Sequence, residues 1–342
     1  MSDSETAERE VVCRSGVASK YAITEKVIYR GLASTIFLAV ERGTLLQVGV
    51  KVLMKHKFDS EEERRNAIAE VEIHSAIPAH SNVVPLLASE DTPEAILLVT
   101  PYTPHGDLWE LIKYGQTYCE KEVRHCAGQI FDAFRHIHAA CGLVHGDIKP
   151  QNFLLYRVSK KFGVQLCDFG LAERPDNPQG QILFHGIRGT SGWFAPEMLD
   201  RCDYSAAMDL FGVGLILFRM LGGYAPFDPP SRFGDGLEFD DRCWCHVGSA
   251  CRQFVGKLLS LDPCQRGTSV EACEHEWICG PDPAEPTPEQ LAIVSTAGPP
   301  PCRDVCFWPA GSVPEPHLRN SYADLHSLVS AAMEVDSDDS DM

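Results

Sequence analysis

Nowhere in the 342 residues is there an apolar run of about 18 or more, the length a membrane-spanning helix needs. The longest candidate, Leu210 to Phe218, is bounded by Asp209 and Arg219 and reads as a buried helix. A Lys/Arg-rich run is missing too. With a net charge of −18 the chain has nothing to neutralise a phosphate backbone, so nucleic acid is not an expected partner, and neither is a membrane. The opening M-S-D-S-E-T-A-E-R-E lacks the basic and apolar regions of a secretory signal. The fourteen cysteines are therefore expected as thiols in a reducing compartment, cytoplasmic or nuclear.

What is present is concentrated in three strings. Residues 145 to 152 read H-G-D-I-K-P-Q-N; sixteen positions past Asn152 comes D-F-G (Asp168, Phe169, Gly170); A-P-E follows at Ala195, Pro196 and Glu197. The residue types suit phosphoryl transfer: a carboxylate to take the proton of an attacking hydroxyl, a lysine for the γ-phosphate, and Asn and Asp oxygens for magnesium. In this order they resemble the catalytic core of eukaryotic protein kinases over roughly residues 20 to 280.

The resemblance implies an α+β, bilobal protein kinase fold, with a small antiparallel β lobe carrying one helix (about 21–102) and a larger, mainly α-helical lobe (about 103–280). ATP is then expected between the lobes. It makes Asp147 the catalytic base, sets Lys149 facing the transferred phosphate, and gives Asn152 and Asp168 the magnesium. Lys51, in the strand-like V-G-V-K-V-L twenty positions after Gly31, is the expected grip on the α/β-phosphates. Its partner is expected at Glu70, which shares a helical face with Ile73 and Ile77; Glu72 is the alternative. Thr100 is expected at the back of the adenine pocket, with Pro101, Tyr102 and Thr103 as the hinge. Asp209 is expected to support the catalytic loop, and Glu197 to pair with Arg266.

Lys149, two positions after Asp147, looks like the serine/threonine branch, so Ser/Thr hydroxyls of protein substrates are the expected acceptors. The stretch from F-D-D-R-C-W-C-H to E-H-E-W-I is similar to the calcium/calmodulin-dependent-kinase-like group. Cys243, Cys245, His246 and Cys251 could in principle hold zinc, but the spacing lacks a matching second pair, and buried thiols are the expected account.

The chain departs from the family at several places. The phosphate-covering G-x-G-x-x-G becomes Tyr29, Gly31 and Ser34, which stiffens a loop whose glycines let backbone amides approach phosphate. Gly146 replaces the arginine that often holds an activation-loop phosphate. Between Asp168 and Glu197 the only Ser/Thr hydroxyls are Thr190 and Ser191, and Thr190 is expected to bond the catalytic loop. Activity without activation-loop phosphorylation is the resulting expectation. Asp107 matches a position that reads arginine upstream of the acceptor, yet Gln151 and Arg219 replace glutamates that would assist it. A pseudokinase scaffold, with weak or no catalysis through the altered loop, is the alternative reading.

Along the chain, residues 21 to 53 carry strand-like runs. A capping box at Ser60 and Glu63 opens a helix with Ala69, Ile73, Ala76 and Ile77 as its apolar stripe, ended by Pro78. A second stripe from Val123 runs through Ala127, Ile130, Phe131, Phe134 and Ile137 into the 145–152 loop. Residues 1–20 read as a flexible acidic N-terminus. From 281 onward, P-D-P-A-E-P-T-P and G-P-P-P read as an extended linker without a packed core. The segment 281–342 holds eleven Asp/Glu against two Arg, half of the net charge. Leu325, Leu328, Val329, Ala332 and Met333 share one face of a short helix over 322–333. That helix could dock on a partner or on the chain itself, or the tail could be disordered. In calmodulin-regulated relatives the corresponding segment is basic, so calmodulin is not an expected partner.

Overall fold

The inner strands of the first unit are almost continuously apolar, because their sheet is covered on both faces, whereas its two edge strands carry charged residues. The computed structural model describes residues 3–31, 34–158, 161–227, 233 and 236–297. The chain divides into two units, residues 1–104 with 167–172 and residues 105–166 with 173–342. In the first, β1 (Tyr21–Arg30), β2 (Ser34–Glu41), β3 (Gln47–Met54), β4 (Ala88–Asp91) and β5 (Ala95–Pro101) make an antiparallel sheet of order β1-β2-β3-β5-β4. Alternation along β3 and β5 sorts their residues. Val48, Val50, Val52, Ala95, Leu97 and Val99 join Phe37 in one cluster, whereas Leu53, Ile96 and Leu98 join Ala67 in another.

Ala67 belongs to α3 (Glu61–Ala76), so the second face is the one this helix covers. Its capping residue is Ser60, which accepts from the Glu63 N–H at 3.1 Å, while Glu63 accepts from Asp59 N–H at 2.8 Å. The buried stripe differs from the expected one. Ala67, Glu70 and His74 are buried and Ala76 is exposed, because the face turned to the sheet carries a functional carboxylate instead of a full apolar row.

The first face of the sheet is covered by the segment expected to be a flexible N-terminus. Instead, Asp3–Arg14 forms helix α1 and Val17–Lys20 a short α2, and Val11, Val12 and Val17 bury into the cluster with Tyr21 and Phe37. The polar composition hid three valines spaced to meet one surface. Glu8 is buried and pairs with Lys57, and Glu5 pairs with Arg30 at the end of β1. Burying a carboxylate requires such a partner. Glu90 of β4 accepts from the N–H groups of Gly16 and Val17 at 2.9 and 2.8 Å, which fixes the turn between the two helices.

The second unit is mainly helical: α4 (Leu108–Ile112), α5 (Glu120–Phe134), α6 (Pro196–Leu199), α7 (Ala207–Gly222), α8 (Asp241–Trp244), α9 (Ser249–Leu258), α10 (Ser269–Cys273), α11 (Glu276–Cys279) and α12 (Pro288–Ala297). Two hairpin-like pairs accompany them, β6 (Phe153–Val158) with β7 (Lys161–Leu166) and β8 (Gln181–Ile182) with β9 (Tyr204–Ser205). The expected stripe of α5 is buried throughout, and a wider turn over Arg135–Ala140 continues it to Ile137. Helix α7 is buried all round, as its apolar sequence demands. It approaches the 145–152 loop so closely that a Cβ on Gly212 would lie 2.6 Å from Ile148 Cβ.

Part of the expected linker is also ordered differently. Thr287 and Gln290 cap α12 reciprocally, and Gln290 Nε2 donates to Cys245 O at 2.7 Å. A proline at the first helical position starts a helix instead of preventing one. The expected helix over 322–333 lies outside the described residues. Cys243 and Cys251 are buried thiols pushed up in pKa by burial. Among the described residues no cluster of His, Cys, Asp and Glu could hold a metal ion. No described helix is long and apolar enough to cross a membrane.

Candidate active site

The 145–152 loop hangs on one buried carboxylate. Asp209, 1% exposed on α7, accepts from the N–H groups of His145 and Gly146 at 2.7 and 2.9 Å, and His138 Nε2 lies 2.8 Å from the same side chain. Three partners satisfy a charge that would otherwise be costly in an apolar helix. Gly146 has φ +79°, a left-handed conformation that a residue without Cβ adopts at no steric cost.

With its backbone fixed, the loop presents a closed triangle of side chains. Lys149 Nζ donates to Asp147 Oδ2 at 2.6 Å and to Thr190 Oγ1 at 2.9 Å, and the Thr190 hydroxyl donates to Asp147 Oδ1 at 2.7 Å. Asp147 is therefore held at both oxygens and oriented. Asn152 Nδ2 donates to the Asp147 carbonyl at 2.7 Å, which leaves Oδ1 as the acceptor end of the amide.

A second group assembles within the first unit. Lys51, on β3, sits between two carboxylates: its Nζ is 2.7 Å from Glu70 Oε1 and 2.8 Å from Asp168 Oδ1. Burial alone would lower the lysine pKa, but the charges of Asp168 and Glu70 outweigh it and raise it, so the ammonium is retained. Burial pushes the Glu70 carboxyl up against the lowering effect of Lys51, with the Asp168 charge adding to the rise. Glu72, the alternative partner, is exposed. Asp168 has φ +66°. A non-glycine residue in that region costs on the order of 1 kcal/mol or more, and such strain persists where surrounding contacts over-determine it. Those contacts include the Lys51 bond and the packing of Phe169 on His74, with ring centroids 4.9 Å apart.

The remaining expected residues lie along the sheet. The N–H of Gly31 donates to Ser34 O at 2.8 Å, closing the turn between β1 and β2, and a Cβ there would lie 3.0 Å from the Tyr29 ring. Tyr29 thus lies against the one retained glycine. Thr100 pairs with Gly49 across β5 and β3, and the Tyr102 N–H donates to Gln47 O at 3.1 Å. Asp107 is half-buried and caps α4, accepting from Trp109 and Glu110 N–H at 2.9 and 3.3 Å. Its carboxylate is thereby engaged locally. Arg219 stacks on Trp193 with 4.7 Å from the guanidinium carbon to the ring centroid.

Glu197 and Arg266 meet in a bidentate pair at 2.6 and 2.8 Å, both buried. Two groups escaped sequence reasoning. His138 shares its helical turn with His136, and no pattern in the string tells which of the two is used. Glu173 bonds Arg188 and Tyr204 at 2.5 and 3.1 Å, a pairing no local string announces.

Magnesium takes hard oxygen donors, and the two expected ligands fit by type: Asn152 through the oxygen its anchored amide leaves over, Asp168 through a carboxylate whose side chain is 41% exposed.

The protein kinase domain family matches residues 23–278. The chain is 32% identical over 272 residues to calcium/calmodulin-dependent protein kinase type 1B of Rattus norvegicus, covering 77% of this chain and 76% of that protein. It is 29% identical over 274 residues to the type 1 enzyme of Caenorhabditis briggsae, covering 78% and 74%. It is 29% identical over 266 residues to the type IV enzyme of Mus musculus, covering 75% and 54%. With the sheet-and-helix architecture, the loop built on Asp147 and the Lys51 ion pair, these likenesses place the chain in the protein kinase family, as a serine/threonine kinase of the calcium/calmodulin-dependent-kinase-like group.

Proposed function

We propose that this kinase is catalytically active, uses ATP with magnesium, and transfers the γ-phosphate to Ser or Thr of protein substrates without requiring phosphorylation of its activation segment. The observation that carries the reading is Lys51, its side chain 18% exposed, held between the buried Glu70 and the more open Asp168. A charged lysine maintained at the cost of burying the Glu70 carboxylate beside it suits phosphate binding better than scaffolding. In this reading Lys51 grips the α/β-phosphates, Glu70 orients it, and Asn152 and Asp168 hold magnesium, which would neutralise charge on the phosphates. Asp147 accepts the proton of the substrate hydroxyl, and Lys149 faces the transferred phosphoryl group. Thr100 and Tyr102 flank the adenine. Independence from phosphorylation is supported by the engagement of Thr190 with Asp147 and Lys149, which leaves Ser191 as the one uncommitted Ser/Thr hydroxyl between Asp168 and Glu197.

The relatives' names speak of calmodulin. Here the segment beyond residue 280 is acidic, which supports regulation without it, the 322–333 segment serving a partner or the chain itself. Capping by Asp107 supports a weak or absent requirement for arginine upstream of the acceptor. The second reading, a pseudokinase, is favoured by one observation: Tyr29 lies against Gly31, where a phosphate-binding turn is usually open. Phosphorylation of a peptide library by the wild type beside Asp147→Asn separates the two. Transfer abolished by the substitution supports the enzyme, and no transfer by either supports the scaffold. Activity lost on phosphatase treatment would remove the claim of independence.

A further inference from the structure

We propose that Glu173 is a positioning residue: its carboxylate, joined to Arg188 and Tyr204, pins the segment carrying Thr190 to the backbone bridge at Val144 that leads into Asp147, the task a phosphate commonly performs. The inference rests on the kinase reading above and names how its activation segment is kept in place.

Glu173 is tied to the 145–152 loop through its backbone. Its N–H donates to Val144 O at 2.9 Å and its carbonyl accepts from the Val144 N–H at 2.8 Å, directly before His145-Gly146-Asp147. Its side chain reaches the other way. Oε1 accepts from Arg188 Nη1 at 2.5 Å and from Tyr204 Oη at 3.1 Å, and Oε2 lies 3.4 Å from His185 Nε2. Arg188 is also 3.0 Å from that histidine nitrogen. Tyr204 sits on β9, paired with Ile182 of β8, so one carboxylate joins both ends of the segment. Burial and the Glu173 charge raise the Tyr204 pKa, which keeps the phenol a donor.

Arg188 stands two residues before Thr190, whose hydroxyl orients Asp147. Gly189, between them, has φ +106°, and a Cβ there would lie 3.2 Å from Gly146 O. Backbone at such a close approach transmits a displacement of Arg188 directly to the Asp147–Lys149–Thr190 triangle. The cluster is half-buried: the Arg188 and Glu173 side chains are 15% and 25% exposed, a setting in which a charge-assisted pair outlasts screening. Meanwhile position 146 has no guanidinium for a phosphate. The anion needed to hold the segment is thus already encoded, as a glutamate.

The test uses the full chain after phosphatase treatment. Glu173→Gln and Arg188→Met should each lower kcat on peptide about tenfold or more, the loss expected for one charge-assisted contact, with the KM for ATP unchanged. Both should raise amide hydrogen exchange across residues 183–190. The paired exchange Glu173→Arg with Arg188→Glu should recover protection and kcat relative to either single variant. Wild-type kcat and exchange in both single variants would overturn the proposal. So would parallel losses in kcat, ATP binding and global stability, which mark general unfolding. Should the wild type transfer no phosphate, the kinase reading fails, but exchange still decides this one: unchanged protection of 183–190 in Glu173→Gln refutes it, and selective loss supports it.

Discussion

Replacing Glu197 by glutamine should weaken the second unit far more than a surface charge change. Arg266 is 1% exposed, donates to both Glu197 oxygens at 2.6 and 2.8 Å, and also donates to Ser260 O at 2.8 Å and Ala207 O at 3.0 Å. Its guanidinium lies over Phe211, 4.8 Å from the ring centroid. The substitution leaves the guanidinium buried without a counter-charge, and breaking a buried pair on one side costs about 3–5 kcal/mol. With an m-value of about 3 kcal/mol per M in urea, the unfolding midpoint should fall by roughly 1 to 1.7 M. The four tryptophans among the described residues, Trp109, Trp193, Trp244 and Trp277, belong to the second unit, so their fluorescence follows its unfolding. Arg266→Met combined with Glu197→Leu should be less damaging than the sum of the singles, because no lone charge remains, although the carbonyls of Ser260 and Ala207 still lose their donor. A midpoint shift below about 0.3 M for Glu197→Gln, on the same m-value, would refute the argument. Because Glu197 lies in the first turn of α6 and Ala207 starts α7, kinase activity should fall along with stability.

Asp209→Ala strands the N–H groups of His145 and Gly146 and the ring of His138; at about 1–3 kcal/mol per unsatisfied buried group, kcat should drop about a hundredfold or more, with Asp209→Asn milder, and steady-state kinetics within threefold of wild type would count against it. Gly212→Ala forces a Cβ to 2.6 Å from Ile148 and should cost about 1–3 kcal/mol in urea unfolding, whereas Gly128→Ala in α5, with nothing within 4 Å, should be neutral or stabilising. Burial raises the Glu8 pKa, but hydrogen bonds from Lys57 and others outweigh it, so the folded value lies below the ordinary 4.5. The stability contributed by Glu8 is therefore present above 4.5 and lost as pH falls through the lower folded value. Hydrogen exchange of residues 3–14 should rise selectively on acidification through that window, and Glu8→Gln should flatten the response; equal slopes in both proteins would disprove it.

The parts of the site that lie in one contiguous string were the most legible. Asp147, Lys149 and Asn152 stand within six residues, where chemistry dictates both type and spacing, and the structure brings the Lys149 side chain onto the Asp147 carboxylate and the Asn152 amide onto the Asp147 carbonyl. Lys51 and Glu70 could be paired from strand context and helical phase, although the buried row of α3 runs through Ala67, Glu70 and His74 and not through the apolar residues Ala69 and Ala76. What escaped was tertiary. Glu173 finds partners 15 and 31 positions away, a distance over which sequence carries no phase. Helix α1 was hidden by composition: acidic residues dominate its outer surface, while the few valines and one buried glutamate that dock it are too sparse to give a periodic signal. At α12 the proline-rich composition reads as linker, although proline at the first position of a helix costs little.

The family likeness begins at residue 23, yet the hydrophobic cluster behind the sheet is closed by Val11, Val12 and Val17. A shortened version trimmed to the aligned region would present bare aliphatic side chains of β2, β3 and β5 to water and would tend to self-associate, an outcome easily mistaken for inactivity. The packed core thus extends beyond the matched region. Chemistry or tagging at the amino end therefore acts on the reverse side of the strand bearing Lys51.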